Sequence, residues 1–153
     1  MKSLVTAGAA AVAALVLAGC SYVNPITTQQ NYAASDGVQM VGGEFDALNL
    51  MVVASDIGEP AVLVGTLYNG SDADLEIDLS FDAETSTSVS VPAGSSVQLT
   101  PLDGVEVPGT SPVLPGLLAE VGIATGANGF YTIQVPVMDG TLPEYQPTID
   151  ALG

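Results

Sequence analysis

The chain has 153 residues and a formal net charge of −16, because 17 residues are Asp or Glu, one is Lys and none is His or Arg. Recognition of nucleic-acid phosphates needs Lys or Arg, Ser-His-Asp and Cys-His catalysis need His, and zinc sites built on His and Cys need several such ligands, so these classes are excluded. The single cysteine, Cys20, also excludes an internal disulfide framework.

An apolar segment, residues 4–17, follows Lys2 and leads into the sequence Leu17-Ala18-Gly19-Cys20. Its length is typical of the apolar part of a secretory signal, whereas a membrane-spanning helix needs about 20 apolar residues. An uncleaved anchor helix is the alternative, but the run at 21–25 ends the apolar stretch too soon. The last four residues resemble the lipobox of bacterial lipoproteins. This resemblance implies that residues 1–19 are removed as a signal peptide and that the thiol of Cys20 carries a diacylglyceryl group.

Cleavage before Cys20 and lipidation of its thiol would determine where the protein is held and which charged side chains it keeps. Two acyl chains are enough for a stable anchor, whereas one chain binds a membrane only marginally. The expected location is the extracytoplasmic face of the cell membrane, with the covalent diacylglycerol and no other cofactor. Once Lys2 is removed, no basic side chain is left, so anionic lipid headgroups would repel the domain and the lipid would hold it at the membrane.

The rest of the chain predicts a tether, one domain and a tail. Residues 20–37 hold the lipidated cysteine and a polar segment without apolar periodicity, which is typical of a flexible tether. The domain is expected at 38–140, a length that suits a single apolar core. Residues 141–153 contain Pro143 and Pro147, and we expect this tail to be extended.

The domain shows short apolar segments separated by turn signals roughly every ten residues, which is typical of an all-β sandwich. No helical pattern of about 12 residues is present. The clearest strand alternates apolar and polar residues without a break, so its odd-numbered residues are expected in the core. The predicted strands are Leu48–Val53, Ala61–Tyr68, Leu75–Asp82, Thr87–Val91, Val97–Thr100, Leu117–Ala124 and Phe130–Met138.

Two connections between these strands carry specific signals. Asn69-Gly70 predicts a turn, because both residues tolerate positive φ. Residues 101–116 hold four prolines and three glycines and predict a long irregular loop. Its apolar part, Val105–Leu118, is either a binding loop or a cover that packs over the open end of the core, and the sequence leaves both alternatives open.

The densest group of carboxylates lies on and just before the strand Leu75–Asp82. Asp72, Asp74, Glu76 and Asp78 are candidate metal ligands, in particular for Ca²⁺, which takes about six to eight oxygens. Asp82 would continue the same outward face. A regular strand spreads its carboxylates, however, and the spacing does not match an EF-hand loop. The alternatives are a solvated acidic face that discourages edge-to-edge aggregation and a docking surface for a basic partner.

The order of strands and turns also resembles a known family. The segments that carry the resemblance are 49–53, 61–70, the acidic strand, 91–99 with its Val91-Pro92-Ala93-Gly94 turn, and 129–137. They resemble the actinobacterial LpqE-type cell-envelope lipoproteins, which are distantly similar to periplasmic copper chaperones of the PCu(A)C type. Over about residues 38–140 the resemblance implies an immunoglobulin-like or cupredoxin-like Greek-key sandwich. It implies no particular activity.

In the copper chaperones the resemblance implies a Cu(I) site built from His and Met, with a His-x-Met after the strand that follows the Pro-Ala-Gly turn. This chain has Thr100-Pro101-Leu102-Asp103-Gly104 in that region, with neither residue type. Soft ligands select Cu(I), so copper transfer by the family mechanism is not expected. Met40 and Met51 match one spacing of the motif but lie too early in the chain, and we expect Met51 to fill the core.

The sequence therefore predicts a lipid-anchored, non-catalytic interaction or binding module of the cell envelope. Its expected partners are envelope proteins or lipids in addition to the membrane that holds its anchor, and not nucleic acid. A metal-binding envelope protein, copper-chaperone-like or Ca²⁺-binding, is the alternative. A carboxylate-based hydrolase is a further alternative, which would need two carboxylates across a sugar-binding cleft in a chain without Trp or cationic groups to support it.

Overall fold

Nine β-strands and one short helix form the part of the chain that the computed structural model describes, residues 35–126 and 129–153. The predicted all-β class is confirmed, and each of the seven predicted strands is present. Two strands of three residues and the helix were not predicted. The elements are β1 Val38–Met40, β2 Phe45–Ala54, β3 Pro60–Asn69, β4 Leu75–Ser80, β5 Thr87–Val91, β6 Ser96–Leu99, β7 Pro108–Thr110, β8 Leu118–Thr125, β9 Gly129–Met138 and α1 Gln146–Leu152.

The strands form two layers that are continuous through β9. Sheet I has the order β5-β4-β8-β9 with antiparallel neighbours, and sheet II contains β2, β3 and β6, with β1 paired to β2 and β7 paired to β3. The first part of β9 pairs with β8, whereas Val137 and Met138 pair in parallel with β2. One strand therefore passes from one layer into the other, which fixes how the two inner faces meet.

Alternation along the strands places the core between these layers. On β4, Ile77 and Leu79 are buried while Glu76 and Asp78 are exposed, as the pattern predicts. All 17 carboxylates lie within the described residues and none is buried; fifteen are exposed, and Asp46 and Asp82 are half-buried. Because the described residues include no Lys, Arg or His, cohesion comes from apolar burial and from hydrogen bonds.

The tail is not extended throughout, so that prediction is wrong. Residues Gln146–Leu152 form helix α1, with Pro147 in the first turn, where a proline costs no helical hydrogen bond. Ile149 and Leu152 pack on a second apolar cluster on the outer face of sheet II, whose buried members are Met51, Val53 and Val62. Seven residues are too few to show a helical period in the sequence. The helix covers sheet II, whereas the side chains on the outer face of sheet I stay largely exposed.

The first described residues are held against the domain, although the sequence assigned 35–37 to a flexible tether. Asn49 is a bulge residue of β2 with φ of 53°, opposite Gly65 of β3. Its Oδ1 accepts hydrogen bonds from the backbone N–H of Gly37 at 2.9 Å and from the Ser35 hydroxyl at 2.5 Å. Burial, together with the carboxylate of Asp36, raises the pKa of Tyr145 to about 12, and the Tyr145 hydroxyl donates to Asp36 at 2.5 Å.

Asn69 joins the two layers through its side chain. It is fully buried, and its Nδ2 donates to the carbonyls of Ala73 at 2.7 Å and Val91 at 2.9 Å. Its Oδ1 accepts from the N–H of Ser71 at 2.9 Å and from the Ser71 hydroxyl at 2.7 Å. Asn69 is the last residue of β3, and neither it nor Gly70 has positive φ, so the turn lies where it was predicted but for another reason. The amide is needed for its four hydrogen bonds.

Replacing Asn69 tests this junction. We expect Asn69→Ala to lower the free energy of unfolding by about 3 kcal/mol, because it empties a buried site and removes the amide donor from the buried carbonyl of Val91. Asn69→Asp should be at least as destabilising at neutral pH, since a carboxylate would face two carbonyl oxygens. Urea unfolding measures both losses. Ser90→Ala, at an exposed position of β5, is the control and should change stability by less than about 0.5 kcal/mol. A loss in Asn69→Ala no larger than in the control would contradict the role given to Asn69.

Candidate functional site

The four candidate metal ligands are not brought together. Asp72 and Asp74 lie in the loop between β3 and β4, and Glu76 and Asp78 point outward from β4. Asp74 accepts a hydrogen bond from the N–H of Ala93 at 2.9 Å, and Glu76 accepts one from the Ser88 hydroxyl at 3.2 Å. Among residues 35–126 and 129–153, no group of three or more His, Cys, Asp or Glu side chains could hold a metal ion. The geometry therefore favours a solvated acidic face over a Ca²⁺ site.

The segment Thr100–Gly104, where the family resemblance would place a copper motif, forms a tight exposed turn. The N–H of Thr100 donates to the carbonyl of Val105 at 3.0 Å, and the N–H of Val105 donates to the carbonyl of Gln98 at 2.9 Å. Leu102 and Asp103 point into solvent at its tip. A lone carboxylate beside an apolar side chain offers no soft ligand for Cu(I).

The methionine thioethers within the domain pack as apolar side chains. Met51 is 3% exposed in the cluster beneath α1, as expected for a core residue, and Met138 packs against the same cluster. Met40 on β1 packs against the main core between the sheets. Since Met40 and Met51 belong to two different clusters, their spacing in the sequence does not produce a shared site.

Asp82 differs from the other acids of its segment. β4 ends at Ser80, and the Asp82 carboxylate turns to accept three backbone N–H groups. Oδ1 accepts from Glu84 at 3.0 Å and from Thr85 at 2.6 Å, and Oδ2 accepts from Thr110 at 2.8 Å. Because Thr110 belongs to β7 of sheet II, this carboxylate ties the two layers together at the end opposite Asn69. The prediction that Asp82 continues the outward acidic face is therefore wrong.

The pKa of Asp82 reflects two opposing effects. Burial raises the pKa, but the N–H groups of Thr110, Thr85 and Glu84 stabilise the charged form and together bring the pKa below its ordinary value of 3.8. A general acid requires a raised pKa and a free oxygen. Asp82 has neither property, so its arrangement is that of a structural group.

An open groove of about 440 Å³ lies on the outer side of sheet I. We call it the Phe130 groove. One wall is made of outward-facing side chains of β8 and β9, and the other is made of the loops that follow β4 and β7. Its lining residues include Phe130, Leu118, Glu120, Ala83, Pro112 and Val113. A second depression of about 280 Å³ continues past Asp82 and Ala83 to Glu84.

The floor of the groove depends on Gly122. A Cβ at Gly122 would lie 2.9 Å from the ring of Phe130 and 2.9 Å from the hydroxyl of Ser80, so the missing side chain makes room for the aromatic ring. Phe130 lies diagonally across from Gly122 in the β8–β9 pairing, where Gly122 is opposite Thr132. The sequence analysis missed this site, because Gly122 and Phe130 meet only through the register of two strands.

The loop Val105–Leu118 shows features of both alternatives. Val107 is buried in the main core and Val113 packs against it, so part of the loop closes the sandwich. Leu114, Leu117 and Leu118 are exposed, and Leu118 lines the groove. No helix within the described residues is long and apolar enough to cross a bilayer. Cys20 and the signal segment lie outside the described residues, so their predicted roles stay predictions.

The described residues form a β-sandwich domain with a helix on one outer face. Comparisons with known proteins show which folds this domain resembles. Neither a scan of protein-family models nor a search of curated proteins gives a match. Among solved structures, the copper-bound PCuAC domain from PmoF2 covers 66% of this chain and 97% of its own length, with 20% identity and a TM-score of 0.53. The apo PCuAC domain from PmoF1 covers 66% and 98%, with 14% identity and a TM-score of 0.52. At these identities the likeness shows the fold alone, and it confirms the predicted immunoglobulin-like or cupredoxin-like sandwich.

The lowered pKa of Asp82 predicts how the free energy of unfolding changes at acid pH. A carboxylate whose pKa is lowered by folding stabilises the native state above its ordinary pKa, and this contribution is lost as the pH falls through the folded value. The free energy of unfolding should therefore fall below about pH 3.8 in the natural protein, and less steeply in the Asp82→Asn variant. Asp139, whose pKa the N–H of Thr141 lowers, contributes equally to both proteins. Urea unfolding over a pH series measures the difference.

The control is Asp78→Asn, which removes an exposed carboxylate from the outer face of β4. It should leave the decline at acid pH as in the natural protein. Equal declines in the natural protein and in the Asp82→Asn variant would contradict the role assigned to the three N–H groups.

Proposed function

We propose that this protein is a lipid-anchored, non-catalytic binding module of the cell envelope that uses a PCuAC-type fold without the copper site. The observation that carries the proposal is the turn Thr100–Gly104, which has no soft ligand in a chain that has no His. The arrangement of Asp82 supports a non-catalytic role, because both of its oxygens are occupied by backbone N–H groups. Location at the membrane rests on the lipobox-like sequence that ends at Cys20.

Copper binding is the second candidate, because one structural neighbour is a copper-bound domain. Among the described residues the available soft ligands are the thioethers of Met40, Met51 and Met138, which pack within two apolar clusters. Two or fewer thioethers without His make a poor Cu(I) site. The fold alone therefore does not favour copper over the binding role proposed above.

Titration with Cu(I) in competition with a chromogenic chelator separates these candidates. We expect no displacement of Cu(I) from a chelator of micromolar affinity, because the described part of the chain brings no set of soft ligands together. A change in the melting temperature on adding Cu(I) provides a second measurement and should be absent. Stoichiometric capture of Cu(I) that is lost in a Met138→Leu variant would instead establish copper binding and overturn the proposal.

Substitution of the predicted lipid-bearing residue tests the anchor. In the native host, Cys20→Ser should abolish incorporation of a labelled fatty acid and prevent attachment of the diacylglyceryl group. The natural chain should fractionate with the membrane and should be extracted only by detergent, since two acyl chains give stable binding. Ser21→Ala is the matched control and should keep both the label and the membrane fraction. Equal labelling of the Cys20→Ser variant and the natural chain would show that the lipobox interpretation is wrong.

A further inference from the structure

We propose that the Phe130 groove binds a basic peptide segment that carries a large apolar side chain. This inference rests on the proposed role as a binding module and names the surface and the partner class. The groove is apolar at its centre and anionic at its borders, and these two properties together define what it fits. Its volume of about 440 Å³ lies within the range of about 300–1,000 Å³ that is typical of ligand pockets.

The apolar part of the groove is exposed and lies on two paired strands. Phe130 is 69% exposed and Leu118 is 57% exposed, and both side chains project from strands of sheet I. The ring of Phe130 is held over Gly122, where any larger residue would displace it. Helix α1 covers the corresponding face of sheet II, but the described chain supplies no such cover here. Covering this exposed apolar surface with a partner's apolar side chain would lower the free energy, because both surfaces leave water.

The borders of the groove carry only negative charge. Glu120 and Asp82 line it, and Glu84 lines the depression that continues from it. The outward carboxylates of β4 lie alongside, because Asp78 is paired with Ala124 and Ser80 is paired with Gly122 in the neighbouring strand β8. No basic side chain of the described residues offsets this charge.

Charge complementarity selects one occupant from the alternatives. A second copy of this chain would bring an equally anionic surface, and anionic lipid would be repelled for the same reason. A segment with Lys or Arg on both sides of an aromatic or aliphatic residue would satisfy both parts of the groove. Its charges would speed association, and its apolar side chain would supply most of the affinity.

Because this chain contains no Trp, the fluorescence of a Trp-containing peptide reports its binding directly. The probe is a seven-residue peptide with a central Trp and two Lys at each end, added to the full lipidated protein in nonionic detergent micelles. Binding should increase and blue-shift the peptide's Trp fluorescence and should weaken as salt is raised. Two matched peptides complete the set, one with Glu in place of Lys and one with Ala in place of Trp and a fluorescent label. We expect each to bind at least about tenfold more weakly.

Variants assign the binding to the groove. Leu118→Ser and Phe130→Ser should each weaken the Lys-Trp peptide at least about fivefold, and Leu118→Ser keeps the test valid if loss of Phe130 disturbs the fold. A combined Glu120→Gln and Asp78→Asn variant should reduce the salt dependence. Ile57→Ser is the control, because Ile57 is exposed in the turn between β2 and β3. It should bind as the natural chain does.

Several outcomes would overturn the proposal while the anchored binding module stands. These are no binding of the Lys-Trp peptide at millimolar concentration, equal binding of the Glu-Trp peptide, and equal losses in Ile57→Ser and Leu118→Ser. A dimer in sedimentation that Leu118→Ser abolishes would assign the groove to a second copy. Displacement of the peptide by monomeric short-chain phosphatidylcholine would assign it to lipid. Failure of the proposed function is separate, since Cu(I) capture or absence of lipid at Cys20 would reveal it.

Discussion

The lack of cationic side chains in this domain limits where its carboxylates can lie and which groups can bind them. An ionised group cannot be buried alone, so every carboxylate must lie in water or accept hydrogen bonds from neutral donors. Asp82 uses backbone N–H groups from the loop after β4 and from β7, and thereby connects the two layers. At the other end a neutral amide, that of Asn69, makes the equivalent connection from within the core. In another protein, ion pairs could connect the two layers. Here the side chains of Asn69 and Asp82 connect them by hydrogen bonds to backbone groups.

The same constraint makes the two outer faces of the sandwich unequal. Sheet II turns an apolar surface outward around Met51, Val53 and Val62, and helix α1 covers it. Sheet I turns outward a mixture of carboxylates, hydroxyls and the isolated apolar pair Phe130 and Leu118, and nothing in the described chain covers it. Strand β4 is paired on both sides, so its outward carboxylates guard no sheet edge, but their like charges oppose contact between this face and a copy of itself. On the proposal made above, this open face would meet a partner of opposite charge, and its like charges would oppose association with a second copy.

The parts that could be predicted from the sequence are those that local patterns determine. Alternation along Leu75–Phe81 defined the strand and its buried face, because the period of two is a property of the extended chain itself. Strands β1 and β7 and helix α1 are too short to show a period, and tertiary contacts decide their conformation. The sequence predicts a turn at Asn69-Gly70 but not the buried hydrogen bonds of Asn69. Its partner Val91 lies 22 residues away, so no local pattern indicates the contact. The groove was missed for a similar reason, since Gly122 and Phe130 meet only after β8 and β9 are in register.

Likeness to the PCuAC domains concerns the fold alone, and the contacts that hold this fold can be described without a metal. The sandwich depends on the alternation of its strands and on the joints at Asn69 and Asp82, and none of these requires a metal ligand. The turn Thr100–Gly104 is held by hydrogen bonds between Thr100, Val105 and Gln98, so its side chains can change without loss of the backbone geometry. If the proposed lipid at Cys20 holds the protein at the membrane, its surface needs no positive charge for attachment. A surface whose charges are all negative is then compatible with residence at an anionic membrane, and it would favour the basic partner proposed above over an acidic one.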